Sequence, residues 1–260
     1  MPYSQDQLSA YRAVIIITLL LSIYGSLHYA HHAYGTDTPF TASYVLLSIY
    51  WIVIYIWQIA FTIASFIPNE TRLTMVCELG WHFPIFNILH YIWAESFTNQ
   101  YFILAELFLI LNFFNLLGMY FTHKTYALGP VTNWFLIHVP LVALPLNWVI
   151  YGIMWNGAVM CHVEEKLWAR ILANIFIWDF LLIGAIFLFL FRDWASGLSI
   201  SYLMLALGFR QLATKIFALQ WIFAFVISGV LFCASVFVLV IDGFNPSQPE
   251  NEPLLEDQGV

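Results

Sequence analysis

The sequence predicts an all-α, polytopic membrane helix bundle, on three observations. Eight apolar stretches lie between about residues 13 and 241, they carry almost no charge, and they lack the alternation of a barrel strand. Hydrophobic residues make up 62% of the chain and charged residues 9%, with a mean hydropathy of +0.82; a soluble domain carries roughly 25% charge. A helix needs about 20 apolar residues to cross about 30 Å of hydrocarbon. The 260 residues therefore suit seven to eight spans with short loops, and helices satisfy their own backbone groups in lipid. The expected organisation is a short N-terminal segment (1–12), one transmembrane domain (13–241) and a disordered acidic tail (242–260).

The segments fall near 13–33, 42–67, 83–97, 100–121, 131–155, 168–191, 195–209 and 216–241. The first follows Asp6 and a lone Arg12 without a small-residue cleavage site, so a retained span is expected rather than a signal peptide. The third is short and carries Asn87, His90 and Glu95, and the seventh ends at Arg210. Each reads as a tilted or re-entrant element covered by its neighbours. Pro140 and Pro145 interrupt the fifth and deprive the carbonyls of Leu136 and Leu141 of helical partners. That kink either borders a cavity or is compensated by packing.

Positive charge does not settle the topology. With eight spans, Arg12, Arg72, Lys124 and Arg192 face Lys166, Arg170, Arg210 and Lys215 across the membrane; if the third segment does not cross, the excess moves to the N-terminal side. The tail holds Pro246, Pro249 and Pro253 among acids and amides, a composition that does not fold. Within it, Glu250, Leu254 and Leu255 fit an acidic dileucine sorting signal, readable by a clathrin adaptor only from the cytosol and implying a vacuolar or endosomal membrane. Asn69 opens a glycosylation sequon set too close to the second segment to be used.

Ionisable groups inside hydrocarbon are costly, about 2.5–3.5 kcal/mol for a central aspartate on insertion scales. Asp179 lies near the middle of the sixth segment and Glu106 early in the fourth, with Asn112 and Asn115 on one helix face beyond it. Together with His90 these form the candidate substrate-binding stripe, with Arg210 or Lys215 as counter-charges. The alternative is that these groups are interhelical hydrogen-bond partners, each contributing about 0.6 kcal/mol.

Several chemistries are excluded or thinly supported. No basic cluster points to nucleic acid. There is no G-x-S-x-G and no phosphate-binding glycine loop. His28, His31 and His32 make one iron-box fragment, where a di-iron site needs several. Glu78 and His82 resemble one fragment of the membrane hydrolases that include ceramidases, without the second histidine pair. His82 and His90 are too far apart on one helix to hold a haem between them. No cofactor and no metal are expected, and Cys77, Cys161 and Cys233 imply no disulfide framework.

The runs Leu111–Leu116, Met119–His123, Trp155–Ala158, Ala169–Trp178, Phe191–Asp193 and Ala218–Phe225 resemble a fungal family of multi-spanning membrane proteins known only as a domain of unknown function. The resemblance covers residues 80–220 and departs at the proline-rich 131–146. It implies an integral membrane protein and assigns no catalytic residue. The function expected is a small transporter or ligand-binding membrane protein for a lipid or weakly polar metabolite. The alternatives are a membrane-embedded hydrolase or metalloenzyme, and a membrane scaffold or assembly factor.

Overall fold

The computed structural model describes residues 5–32, 37–68, 70–163, 166–214 and 219–242, and the regular elements among them are all helical. They are α1 (Gln5–His32), α2 (Tyr44–Ala64), the short α3 (Glu70–Glu78), α4 (His82–Thr98), α5 (Phe102–Thr122), α6 (Val131–Met160), α7 (Leu167–Phe176), α8 (Asp179–Leu190), α9 (Trp194–Thr214) and α10 (Gln220–Asp242). Six helical stretches are long and apolar enough to cross a membrane: Leu8–Ala30, Tyr44–Ala64, Phe102–Thr122, Val131–Met160, Leu167–Leu190 and Gln220–Ile241. Their outward faces carry exposed Ile17, Leu20, Ile56, Leu182 and Val240, while polar Gln58, Asn147 and Asn156 are buried. That inside-out polarity suits an apolar surrounding.

The two marginal segments are both helices. The third is α4, 17 residues long, held beside α1 by Tyr11 Oη donating to the Gly80 carbonyl (2.6 Å) and by His28 Nδ1 against Glu95 Oε1 (2.8 Å). Because these bonds tie start to start and end to end, α1 and α4 run in the same direction. The chain then reverses tightly into α5. Gln100 takes a left-handed φ of 65°, and the N–H groups of Gln100 and Tyr101 close onto the carbonyls of Phe97 and Ser96, a glycine-free version of the turn that commonly ends helices. The seventh segment does not stop at Arg210. It continues as α9 to Thr214, and its lower hydropathy comes from serines, glycines and Gln211 on the face packed inward.

α9 and α10 form the most extensive helix pair. The Ser201 hydroxyl donates to the Ser228 carbonyl and the Ser228 hydroxyl to the Ser201 carbonyl, both at 2.8 Å. Small residues permit this approach: a Cβ on Gly197 would meet Ser235 Oγ and sit 2.6 Å from Leu188 Cδ2.

α6 is the axis of the molecule and is buried over most of its length. Its prolines act differently from the simple expectation, because Trp134–Ala143 is wound as a π-helix. The N–H of Leu144 donates to the carbonyl of Val139, five residues back. In that register the Pro140 carbonyl looks to residue 145, which is itself a proline without an N–H. Gln58 of α2 supplies the missing donor, its Nε2 lying 3.0 Å from the Pro140 oxygen. The carbonyl freed by the irregular winding is therefore satisfied by a neighbouring helix, as a buried polar group requires.

The α5–α6 and α8–α9 junctions meet at a buried charge. Asp193 Oδ2 accepts from His138 Nε2 (3.0 Å), Tyr120 Oη (3.2 Å) and Ser196 Oγ (2.7 Å), and Oδ1 accepts from the Ser196 N–H (3.1 Å). The Ser196 bonds make Asp193 the N-cap of α9. The side chains of His138 and Asp193 are both 0% exposed. Burial pushes the Asp193 carboxyl up, but His138 and Ser196 outweigh it and leave it below its ordinary value.

Lys215, the sequon Asn69 and the tail with Glu250, Leu254 and Leu255 lie outside the described residues, as do the side chains of His31 and His32.

Candidate functional site

A cavity of about 270 Å³ opens between α1, α2, α4, α6 and α9, at the end of the bundle where α1 finishes and α2 begins. Its walls are aromatic: Tyr29, Trp51, Trp93, Trp148 and Trp155, with Tyr44 towards the mouth. The indoles brace one another edge to face, Trp148 at 79° to Trp51 and 76° to Trp93, the arrangement that aromatic quadrupoles favour. Trp148 and Trp155 stand seven residues apart, two turns of one α6 face. Large apolar rings brought by four helices thus give a preformed wall.

Polar groups mark two parts of this cavity. At one, His90 Nε2 lies 2.8 Å from Ser26 Oγ, which lies 2.6 Å from Tyr55 Oη, and the imidazole packs against Trp51 at 4.3 Å between centroids. At the other, Arg210 of α9 donates to Asp37 Oδ1 at 2.6 Å, the pair being 41% and 38% exposed. The preceding loop is fixed by Gln211 Nε2, which donates to the Thr38 and Thr41 carbonyls. The Nε of Arg210 and the indole N–H groups of Trp93, Trp148 and Trp155 are buried without an acceptor. Each such donor costs about 1–3 kcal/mol when left unpaired.

The sequence-predicted residues are distributed differently from a single stripe. His90 and Arg210 line the cavity together. Glu106 does not join them: its Oε2 accepts from Asn156 Nδ2 (2.6 Å), tying α5 to α6. Asn112 donates to the Phe86 carbonyl (3.3 Å), and Asn115 pairs with His82 through both its oxygen and its nitrogen (2.9 Å each). The two asparagines thus link α5 to α4. Asp179 stands half-exposed near the middle of the Leu167–Leu190 stretch, just after Ile177 and Trp178 tighten the helix from i−4 to i−3 hydrogen bonds, and does not reach the cavity. Among the described residues no three histidine, cysteine or carboxylate side chains converge as a metal site requires.

Sequence reasoning missed the tryptophans, Asp37 and the Asp193 network. The tryptophans were visible only as composition, because their convergence depends on which helices neighbour one another. Asp193 carried a readable signal: an aspartate three residues before Ser196 at the head of an apolar run is an N-cap pattern.

Residues 170–258 match the model of a family described as "Fungal protein of unknown function (DUF1774)". The match begins in α7 and takes in α8, α9 and α10, so the earlier runs at Leu111–Leu116, Met119–His123 and Trp155–Ala158 lie outside it. The chain is also 28% identical over 247 residues to an uncharacterized protein of Schizosaccharomyces pombe, covering 89% of this chain and 85% of that protein. No solved structure matches. Residues 170–258 are thus similar to a fungal family of unknown function.

Proposed function

We propose that the chain is a membrane-embedded binding protein or small transporter for a lipid or weakly polar metabolite held in the aromatic cavity. The observation that carries this reading is the cavity itself, with five indole or phenol walls and a charged pair at its polar end. Sites for small molecules are mostly apolar with a few placed polar groups, and occupy roughly 300–1,000 Å³. At about 270 Å³ the cavity suits a small molecule or one end of a lipid. The part-exposed Arg210–Asp37 pair at the mouth suits an occupant with one polar end.

On this reading α4 and α9 add two crossings to the six long helices, and the tail emerges on the side of Gln5. Eight crossings with cytosolic termini would let a clathrin adaptor read Glu250, Leu254 and Leu255, directing the protein to a vacuolar or endosomal membrane.

The test is thermal unfolding of the purified chain in detergent with a long-chain fatty acid, a fatty alcohol and a sterol. A ligand at 100 times its Kd stabilises by about 2.7 kcal/mol. A shift with one of these, lost in Ser48→Phe, supports the reading, because Ser48 lines the cavity and a phenyl ring fills it. No shift with any of them, or equal shifts in both chains, overturns it.

A further inference from the structure

At the opposite end of the bundle from the aromatic cavity, a hydroxyl, an imidazole and a carboxylate stand in one hydrogen-bonded row. Thr125 Oγ1 lies 3.1 Å from His138 Nδ1, and His138 Nε2 lies 3.0 Å from Asp193 Oδ2. The carboxylate only accepts, so the imidazole proton sits on Nε2, and Nδ1 is left to accept the Thr125 hydroxyl proton. The remaining donors of Tyr120 and Ser196 fix the carboxylate. A hydroxyl aligned on a base that is itself oriented by a third group is the arrangement that activates an oxygen nucleophile.

Placement adds to the alignment. Thr125 opens a single 3₁₀ turn (Thr125–Ala127) directly after Lys124, whose φ of 45° is left-handed. This sharp turn directs the residue inward between α5 and α6. Thr125 lines a small pocket of about 20 Å³ with Glu78, Leu79 and His123. On the other side of the same segment, Cys77, Gly80 and Trp81 line a larger pocket of about 350 Å³ against Leu8, Tyr11 and Val14 of α1. The residues between α3 and α4 therefore form a thin partition. Gly80 holds a left-handed φ of 55° in it, and Leu79 is its buried element over Thr125.

We propose that Thr125, His138 and Asp193 form an acyl-transfer site for carboxylic esters, covered by the Leu79 segment. Thr125 Oγ bonds to the ester carbonyl carbon while its proton moves to His138 Nδ1. The carbon–oxygen bond to the alcohol then breaks, and the departing oxygen takes that proton. Water adds to the acyl-threonine by the same relay, releasing the acid and restoring the hydroxyl. Asp193 is a positioning residue: it sets the imidazole tautomer and stabilises the imidazolium. The site shares no residue with the aromatic cavity, so either can fail without the other.

The probe is p-nitrophenyl acetate, applied to the full chain in detergent, where it must displace the Leu79 segment to reach the buried Thr125. Release of p-nitrophenolate with acetyl found on Thr125 by peptide mass spectrometry is expected. Thr125→Ser keeps the adduct and Thr125→Val abolishes it. Asp193→Asn slows acetylation at least tenfold, because the asparagine amide donates to Nε2 and moves the imidazole proton onto Nδ1. Leu79→Ala speeds it. Thermal unfolding confirms that each variant is folded. Absence of acetyl from Thr125 in the folded parent chain, or equal acetylation of the parent and Asp193→Asn, overturns the assignment.

Discussion

An Asp193→Ala chain leaves four donors without their acceptor: His138 Nε2, Tyr120 Oη, and the Ser196 hydroxyl and N–H. At about 1–3 kcal/mol for each unpaired buried group, the upper bound is large. Tyr120 and Ser196 can rotate their hydroxyls, however, so the loss expected comes from the two N–H groups that cannot, His138 Nε2 and the Ser196 amide, and is about 2–6 kcal/mol. Asp193→Asn separates charge from hydrogen bonding. Its oxygen still accepts from the Ser196 N–H, and its amide donates to His138 Nε2 once the imidazole changes tautomer, so the expected loss is only about 1–2 kcal/mol. Unfolding by added SDS in mixed micelles measures both. The substitutions should rank alanine well below asparagine; equal losses, or less than about 1 kcal/mol for alanine, would refute the buried network as the tie between the α5–α6 and α8–α9 junctions.

The same residue sets a pH dependence. Because the folded Asp193 carboxyl is depressed, its stabilisation is present above the unfolded value of about 3.9 and is lost as pH falls from there through the folded value; acid unfolding should be flatter in that window for Asp193→Asn. Gln58→Leu strands the Pro140 carbonyl and should cost about 1–2 kcal/mol in SDS unfolding, whereas Gln58→Glu, which brings a second acceptor rather than a donor, should be no better. Gly197→Leu drives a side chain into Ser235 and Leu188 and should cost at least about 1–3 kcal/mol, or separate α9 from α10 as read by cysteine cross-linking. Asp179→Asn alters a half-exposed residue and should stay within about 0.5 kcal/mol.

Hydropathy made the helices legible because a long apolar run is a local property, read residue by residue. The same locality explains what was not legible. The sixth segment looks continuous in composition, yet it tightens at Ile177 and Trp178, where no proline or glycine announces the change. Pro140 and Pro145 announced an irregularity, but its form depended on a π register and on Gln58 from α2. Asn112 and Asn115 were readable as interhelical partners from spacing alone. Glu106 was read toward His90 because both lie on neighbouring helices, but Asn156 of α6 competes for it at 2.6 Å. His138 shows no partner along the chain because Thr125 and Asp193 sit 13 residues before and 55 residues after it. Charges that meet only through tertiary packing leave no periodic trace.

An amphipathic ligand held in the aromatic cavity is read directly by tryptophan fluorescence, since Trp51, Trp93, Trp148 and Trp155 all line the space. A bromine-labelled long-chain fatty acid quenches an indole on contact. Titrating it into the purified protein should give saturable quenching that an unlabelled fatty acid reverses and that Ser48→Phe weakens. Quenching that rises linearly without saturation, or that is unchanged in Ser48→Phe, would contradict the account.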